Sequence, residues 1–144
     1  MAKKYHVGPG QRAANAVFRE LAARGWGHPY LHVLSVTGRR SGVERSVPVD
    51  VMDLAGRRYL VAPYGEVNWV RNLRVAGTAK LRRGRSVATY DAVEVDAAHA
   101  MPVIRQYVHS VPVTKDYWDI DDRSSDEDVL AEAHRHPVFR LSHR

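Results

Sequence analysis

The chain has no cysteine in its 144 residues. That excludes disulfides, thiolate zinc sites, iron–sulfur clusters and a cysteine nucleophile. Long apolar runs are missing too, and none approaches the about 18 residues of a membrane span. The first residues, MAKKYHVGPGQR, contain no apolar h-region, so export is not expected. Repeats, low-complexity tracts and linkers are also absent, and the length suits one domain over 1–144 with a single core. Lysine is scarce, with four Lys against 18 Arg. A soluble cytoplasmic protein, either a monomer or a homodimer, is the expectation.

The charge that is present is unevenly spread. The chain carries +6 overall. Residues 39–85 hold eleven basic and four acidic side chains, whereas residues 91–132 hold three basic and eleven acidic ones. Guanidinium groups offer planar forks of donors suited to phosphate and carboxylate. An anionic partner at the middle segment fits this. Nucleic acid does not, because the acidic segment repels phosphate and the basic strands lack interleaved aromatics.

Periodicity predicts a helix over residues 11–24 with Ala14, Val17, Phe18, Leu21 and Ala22 on one face and Gly25 after its end. That face is expected to pack on a sheet, with weak peripheral membrane contact as the alternative. Strands are predicted over 30–37, 46–54, 58–62, 78–82, 86–95 and 138–142. Helices are predicted over 68–76, with Asn68 as cap, over 97–109 after Asp96, and over 127–135. Residues 110–126 read as a loop or lid. Pro48 marks an edge or bulge in its strand. Short turns, not helical crossovers, join the strands, so an α+β arrangement with an antiparallel sheet or small barrel is expected.

The stretch Thr37-Gly38-Arg39-Arg40-Ser41-Gly42, followed by Arg45 and Pro48, is the most specific local signal. Its glycines allow positive φ, and the turn can fold into a nest of N–H groups with Arg, Ser and Thr donors around it. A solvated hairpin tip is the competing reading. His134 and His136 have a chelating spacing but no completing acid, so no metal is expected. The aspartates of residues 119–128 match no calcium loop, and no serine sits in a G-x-S-x-G context.

Taken with Tyr59-Leu60-Val61-Ala62, Gly65 and Trp69-Val70-Arg71-Asn72-Leu73, that stretch resembles the deazaflavin-dependent nitroreductase family over about residues 11–142. The resemblance implies an antiparallel split β-barrel, related to the FMN-binding split barrels, with flanking helices. It implies a site for coenzyme F-420, an 8-hydroxy-5-deazaflavin with a phospholactyl-oligoglutamate tail. Arg39, Arg40 and Arg45 would then hold phosphate and glutamates, with Thr37, Gly38, Ser41 and Gly42 of the same turn also in the cofactor-binding set. Pro48 would flank the coenzyme, and the Ala62, Pro63, Tyr64 and Gly65 turn would supply backbone contacts at the ring. Trp69 is a further cofactor-binding candidate, although with Asn72 and Leu73 it is expected mainly to fix the short helix against the barrel. Tyr107 and Tyr117 are the candidates for proton donation. The partner would be a small hydride acceptor such as a quinone, enone or nitroaromatic. The rivals are a non-catalytic holder of F-420 or a fatty acid, and an FMN-binding barrel. The turn departs from the family pattern at Pro63-Tyr64-Gly65-Glu66, where Pro63 removes a donor.

Overall fold

A computed structural model describes Ala2, residues 12–13, 15–17, 19 and 21, and residues 29–144. Strands β1 (Leu31–Thr37), β2 (Glu44–Leu54) and β3 (Arg57–Val61) lead into helix α1 (Asn68–Ala76). Strands β4 (Thr78–Arg83) and β5 (Ser86–Glu94) precede helix α2 (Ala97–Ser110). A 3₁₀ turn (Pro112–Tyr117), helix α3 (Asp126–Ala133) and strand β6 (Val138–His143) complete the order. The six strands close into a barrel in the order β1-β2-β3-β6-β5-β4, and every neighbouring pair is antiparallel.

Alternation along the strands divides the apolar residues between two cores. Leu34, Val36, Val51, Leu60, Leu81, Tyr90, Phe139 and Leu141 fill the barrel interior. Val70 and Leu73 of α1 join them, so this short helix plugs one barrel end. Met52, Val61 and Val138 belong to the second core, outside the barrel, with Ala100, Val103, Ile104 and Tyr107 of α2 and Val129 and Ala133 of α3. Each large side chain so buried contributes roughly 1.5–3 kcal/mol from removal of apolar surface.

Local chemistry sets the ends of these elements. Gly77 ends α1 at φ 70°, and its N–H bonds the Leu73 carbonyl at 2.8 Å. The start of α1 differs from expectation: the cap position is Val67, which makes no side-chain cap bond, and Asn68 is the first helical residue. Asp96 does cap α2, accepting from the His99 N–H at 2.9 Å. Part of the expected 110–126 loop winds into the 3₁₀ turn, and Ser125 caps α3 through the Asp128 N–H. Pro48 pairs with Val33 where β2 has a ladder partner on one side only, since β3 pairs with residues 51–54. That open edge accommodates its missing donor.

Within the predicted 11–24 helix, the described residues 12, 13, 15–17, 19 and 21 are helical. Leu21 packs on Leu31 and Val33, but Val17 is exposed, so the packed face is narrower than the periodicity implied. Ala14, Phe18, Ala22 and Gly25 lie outside the described residues. No helix among the described residues is long and apolar enough to cross a membrane.

Candidate functional site

The hairpin between β1 and β2 is folded tightly on itself. The Gly38 N–H bonds the Val43 carbonyl at 2.8 Å, and the Gly42 N–H bonds the Gly38 carbonyl at 2.9 Å. Ser41 Oγ accepts from the Val43 N–H at 3.1 Å. A Cβ on Gly38 would stand 2.8 Å from Ser41 Oγ and 3.0 Å from the Val43 oxygen, so only glycine fits there. The N–H groups of Gly38, Arg39, Gly42 and Val43 are thus committed to internal acceptors. This corrects the expectation of an open backbone nest: what the hairpin turns outward is chiefly side chains.

Helix α1 holds this hairpin in place. Asn72 is 6% exposed, and its Oδ1 accepts from the Arg39 N–H at 3.1 Å and from Arg39 Nη1 at 2.8 Å. One amide oxygen therefore links the Thr37–Gly42 motif to the Trp69–Leu73 motif. Trp69 and Leu73 anchor the helix on the barrel, with the Trp69 ring 6.1 Å from that of Phe139.

A cleft of about 700 Å³ opens between the hairpin, the outer part of β2, α1 and the 3₁₀ turn. Gly38, Arg39, Arg40, Ser41 and Arg45 line its cationic part. Pro48, Pro63, Tyr64, Trp69 and Tyr107 are among those that line its other walls. Ten of the fifteen residues singled out from sequence thus share one cleft. Among the described residues, no acidic side chain pairs with Arg39, Arg40 or Arg45. Arg58, Arg74, Arg105 and Arg135, by contrast, all have carboxylate partners.

The other five lie behind or beside the cleft wall. Thr37 ends β1, and Gly42 shapes the hairpin at φ 71°. The Ala62 N–H bonds the Pro137 carbonyl at 2.9 Å, while the Gly65 N–H bonds the Ala62 carbonyl at 3.2 Å. These two residues shape the turn that presents Pro63 and Tyr64. Gly65 has φ 84°, and a Cβ there would meet the Arg135 carbonyl oxygen at 3.3 Å. Tyr117 is placed one ring further out, edge-on to Tyr64 with centroids 4.7 Å apart. The unusual Glu66 pairs with Arg74 at 2.9 Å.

Tyr107 is 1% exposed, at the cleft's inner wall. Burial above all, and then the charge of Asp50 and the neighbouring Tyr64, push its pKa well above the ordinary 10, against a smaller opposing pull from a hydrogen bond with Thr114. Its hydroxyl therefore keeps its proton.

Four contributors were not visible from the sequence: Asp50, Val113, Thr114 and the brace behind the turn. In that brace, His136 Nδ1 donates to the Ala62 carbonyl at 3.0 Å, and Nε2 lies 2.9 Å from Glu132 Oε1. Trp118 stacks on the ring at 3.8 Å and 22°. Glu132 is 1% exposed, accepts the Asp119 N–H at 3.2 Å and also pairs with Arg135. His136 is thus part of a hydrogen-bonded brace, and no group of three metal-ligating side chains comes together among the described residues. A Glu four residues before a His at a helix end is the one sequence signal that was there to be read.

The closed antiparallel barrel, with a cationic hairpin and a cleft against its outer wall, is a small split barrel. The chain belongs to the F-420H2-dependent quinone reductase family, which matches residues 11–126. The family is dependent on reduced F-420. Among solved structures it is similar to a domain-swapped dimer at 18% identity, covering 92% of this chain and 96% of that one, with a TM-score of 0.60. It is also similar to an F-420-H2-dependent reductase at 22% identity, 79% and 95% coverage and a TM-score of 0.57. A candidate pyridoxamine 5′-phosphate oxidase from Listeria innocua shares the fold at 10% identity, 80% and 84% coverage and a TM-score of 0.53. No functionally curated protein sequence matches significantly.

Proposed function

We propose that this protein reduces a small electrophilic organic acceptor, such as a quinone, an activated enone or a nitroaromatic, with reduced F-420 held in the cleft beside α1. The observation that carries this reading is a charge imbalance. Three guanidinium groups with no acidic partner among the described residues line one part of a cleft whose other walls include Pro48, Pro63, Tyr64, Trp69 and Tyr107. A phosphate with several carboxylates and a flat ring matches both parts. FMN, with one phosphate, would leave much of the cationic part unpaired.

When bound, the reduced coenzyme supplies a hydride from C5 of its deazaflavin ring. The protein's own residues do the rest. Arg39, Arg40 and Arg45, with the Ser41 hydroxyl, hold the phosphate and carboxylates. Pro48, Pro63 and Trp69 wall the ring. Tyr64, backed by Tyr117, and Val113 exclude water from the acceptor's side. Tyr107 retains its proton at Oη and donates it to the reduced acceptor. Thr37, Gly38, Gly42, Ala62 and Gly65 hold the two turns in shape. The reaction is assigned to the cytoplasm.

Titration with F-420 and with FMN, read by fluorescence, tests the binding step. F-420 is expected to bind more tightly, with affinity falling as salt screens exposed charge over a Debye length of about 8 Å at physiological ionic strength. Equal affinity for both, or none for F-420, overturns the site. Reduced F-420 carrying deuterium at C5 is then offered with menadione or an enone. Tight binding with oxidation no faster than in buffer would make the protein a holder of the coenzyme and not a reductase.

A further inference from the structure

The basic middle segment does not gather in one place. Arg39, Arg40 and Arg45 lie at the cleft, but the antiparallel register carries the β2–β3 and β4–β5 turns to the opposite barrel mouth. Arg57, Arg58 and Arg83 stand there, and Arg140 of β6 joins them. The F-420 reading uses none of these four.

A second cavity, of about 930 Å³, opens at this mouth. Asp53 is the one carboxylate among the described residues of its lining, and Arg58 takes both its oxygens, at 2.9 and 3.2 Å. Arg58 also donates to the Tyr90 hydroxyl at 3.1 Å, and Arg83 to the Leu31 carbonyl at 2.7 Å. Both guanidiniums are thereby fixed in direction. Arg57 and Arg140 have no acidic partner among the described residues. Four cations, two of them fixed, against one carboxylate among the described lining residues, on concave walls, focus a positive field in the cavity. His32 reports that field. Burial lowers its pKa first, and the charges of Arg58 and Arg83 lower it further, against the Tyr30 carbonyl and Asp53. Ser86 and Ser142 add hydroxyl donors, and the Tyr90 and His143 rings, 4.6 Å apart, supply aromatic surface.

We propose that this mouth, built by Arg57, Arg58, Arg83 and Arg140, is a second anion site that takes a compact oligophosphate, either free or as the phosphate chain of a nucleotide. The arginines come from β3, β4 and β6, so a single carboxylate or sulfate satisfies only part of the ring. A chain of two or three phosphates offers oxygens along its length and the several negative charges that balance the lining. The site is separate from the coenzyme cleft and stands whether or not F-420 binds there.

The test titrates tripolyphosphate and ATP separately into the whole protein. Calorimetry reads binding, and NMR reads the His32 and His143 imidazole resonances. Saturable binding is expected, with the His32 pKa rising as the bound anion offsets Arg58 and Arg83. Replacing two solvent-facing members together, Arg57→Ser with Arg140→Ser, should weaken binding at least about tenfold and leave the F-420 titration unchanged. Arg40→Ser with Arg45→Ser should do the reverse. Equal affinity for both ligands means that the phosphate chain alone is recognised. Tighter binding of ATP means that the Tyr90–His143 wall contributes as well. The proposal is overturned if neither ligand saturates below about 1 mM or the His32 resonance does not respond. It is equally overturned if Arg40→Ser with Arg45→Ser, and not the Arg57/Arg140 pair, abolishes tripolyphosphate binding.

Discussion

Replacing Asn72 by Ala removes a single oxygen that serves two donors of Arg39. The Arg39 N–H sits at a part-buried position, and leaving such a donor without an acceptor costs about 1–3 kcal/mol. The guanidinium recovers water more easily, so its lost bond adds less to the folding balance. We expect a loss of about 2 kcal/mol in urea unfolding. For a chain of this size that lowers Tm by roughly 5–8 °C. Arg39 also loses the tether that aims it at the cleft, so F-420 affinity should fall by about tenfold, or about 1.4 kcal/mol. Asn72→Asp separates the two effects. It keeps the acceptor and places a carboxylate against Arg39, so stability should stay near the parent while coenzyme affinity falls. Parent-like Tm and affinity in Asn72→Ala would refute the idea that this bond sets the hairpin. An Asn72→Asp protein that binds F-420 as tightly as the parent would remove Arg39 from the anion site.

Arg45→Ala should cost about 1.5–3 kcal/mol of F-420 binding, the scale of a hydrogen bond to a charged group, while Arg85→Ala at the β4–β5 turn should cost little; similar losses would mean diffuse attraction instead of a formed site. Tyr107→Phe should lower kcat with coenzyme affinity nearly unchanged, and a parent-like kcat would remove Tyr107 from proton donation. Because the folded pKa of Tyr107 is raised, the unfolded chain loses this proton first as pH climbs past 10; parent stability should fall there, and urea unfolding of Tyr107→Phe should show a smaller fall. His136 behaves oppositely: burial lowers its folded pKa, so the unfolded chain takes up the proton first and stability should decline as pH drops through about 6.5. His136→Gln should flatten that decline, and an unchanged pH profile would show that the brace does not titrate.

What could be read from sequence was local. Alternation along β1, β2 and β5, the Asp96 cap and the Gly77 stop are written in adjacent residues, and their positions held to within a few residues. The Thr37–Gly42 and Trp69–Leu73 motifs were also legible. What joins them was not, because the Arg39–Asn72 bond spans 33 positions and leaves no periodic trace. Asp50 and Thr114 enter the cleft only once α2 and the 3₁₀ turn pack outside β2. The basic segment looked like one surface because charge was counted along the chain, whereas the strand register sends alternate turns to opposite mouths. In the sequence, Glu132 carries no local sign of its burial. Its burial depends on the return of His136 beneath the Ala62 turn.

The position of β6 in the barrel bears on how the protein is made. β1, β2 and β3 form a meander of near neighbours, and β4 with β5 forms a hairpin, so each can pair as soon as it is synthesised. β6 alone bridges β3 and β5, and its pairing with β3 joins Arg58 to Leu141. Until the last strand arrives, two strand edges stay unsatisfied, and closure across so long a separation is entropically slow. Such edges are templates for pairing with other chains. The Ala62 turn also lacks its Pro137 and His136 partners until then. A growing chain therefore carries its cationic hairpin complete but its coenzyme cleft unbraced, and the period of greatest exposure to misassembly ends only when residues 138–143 are released.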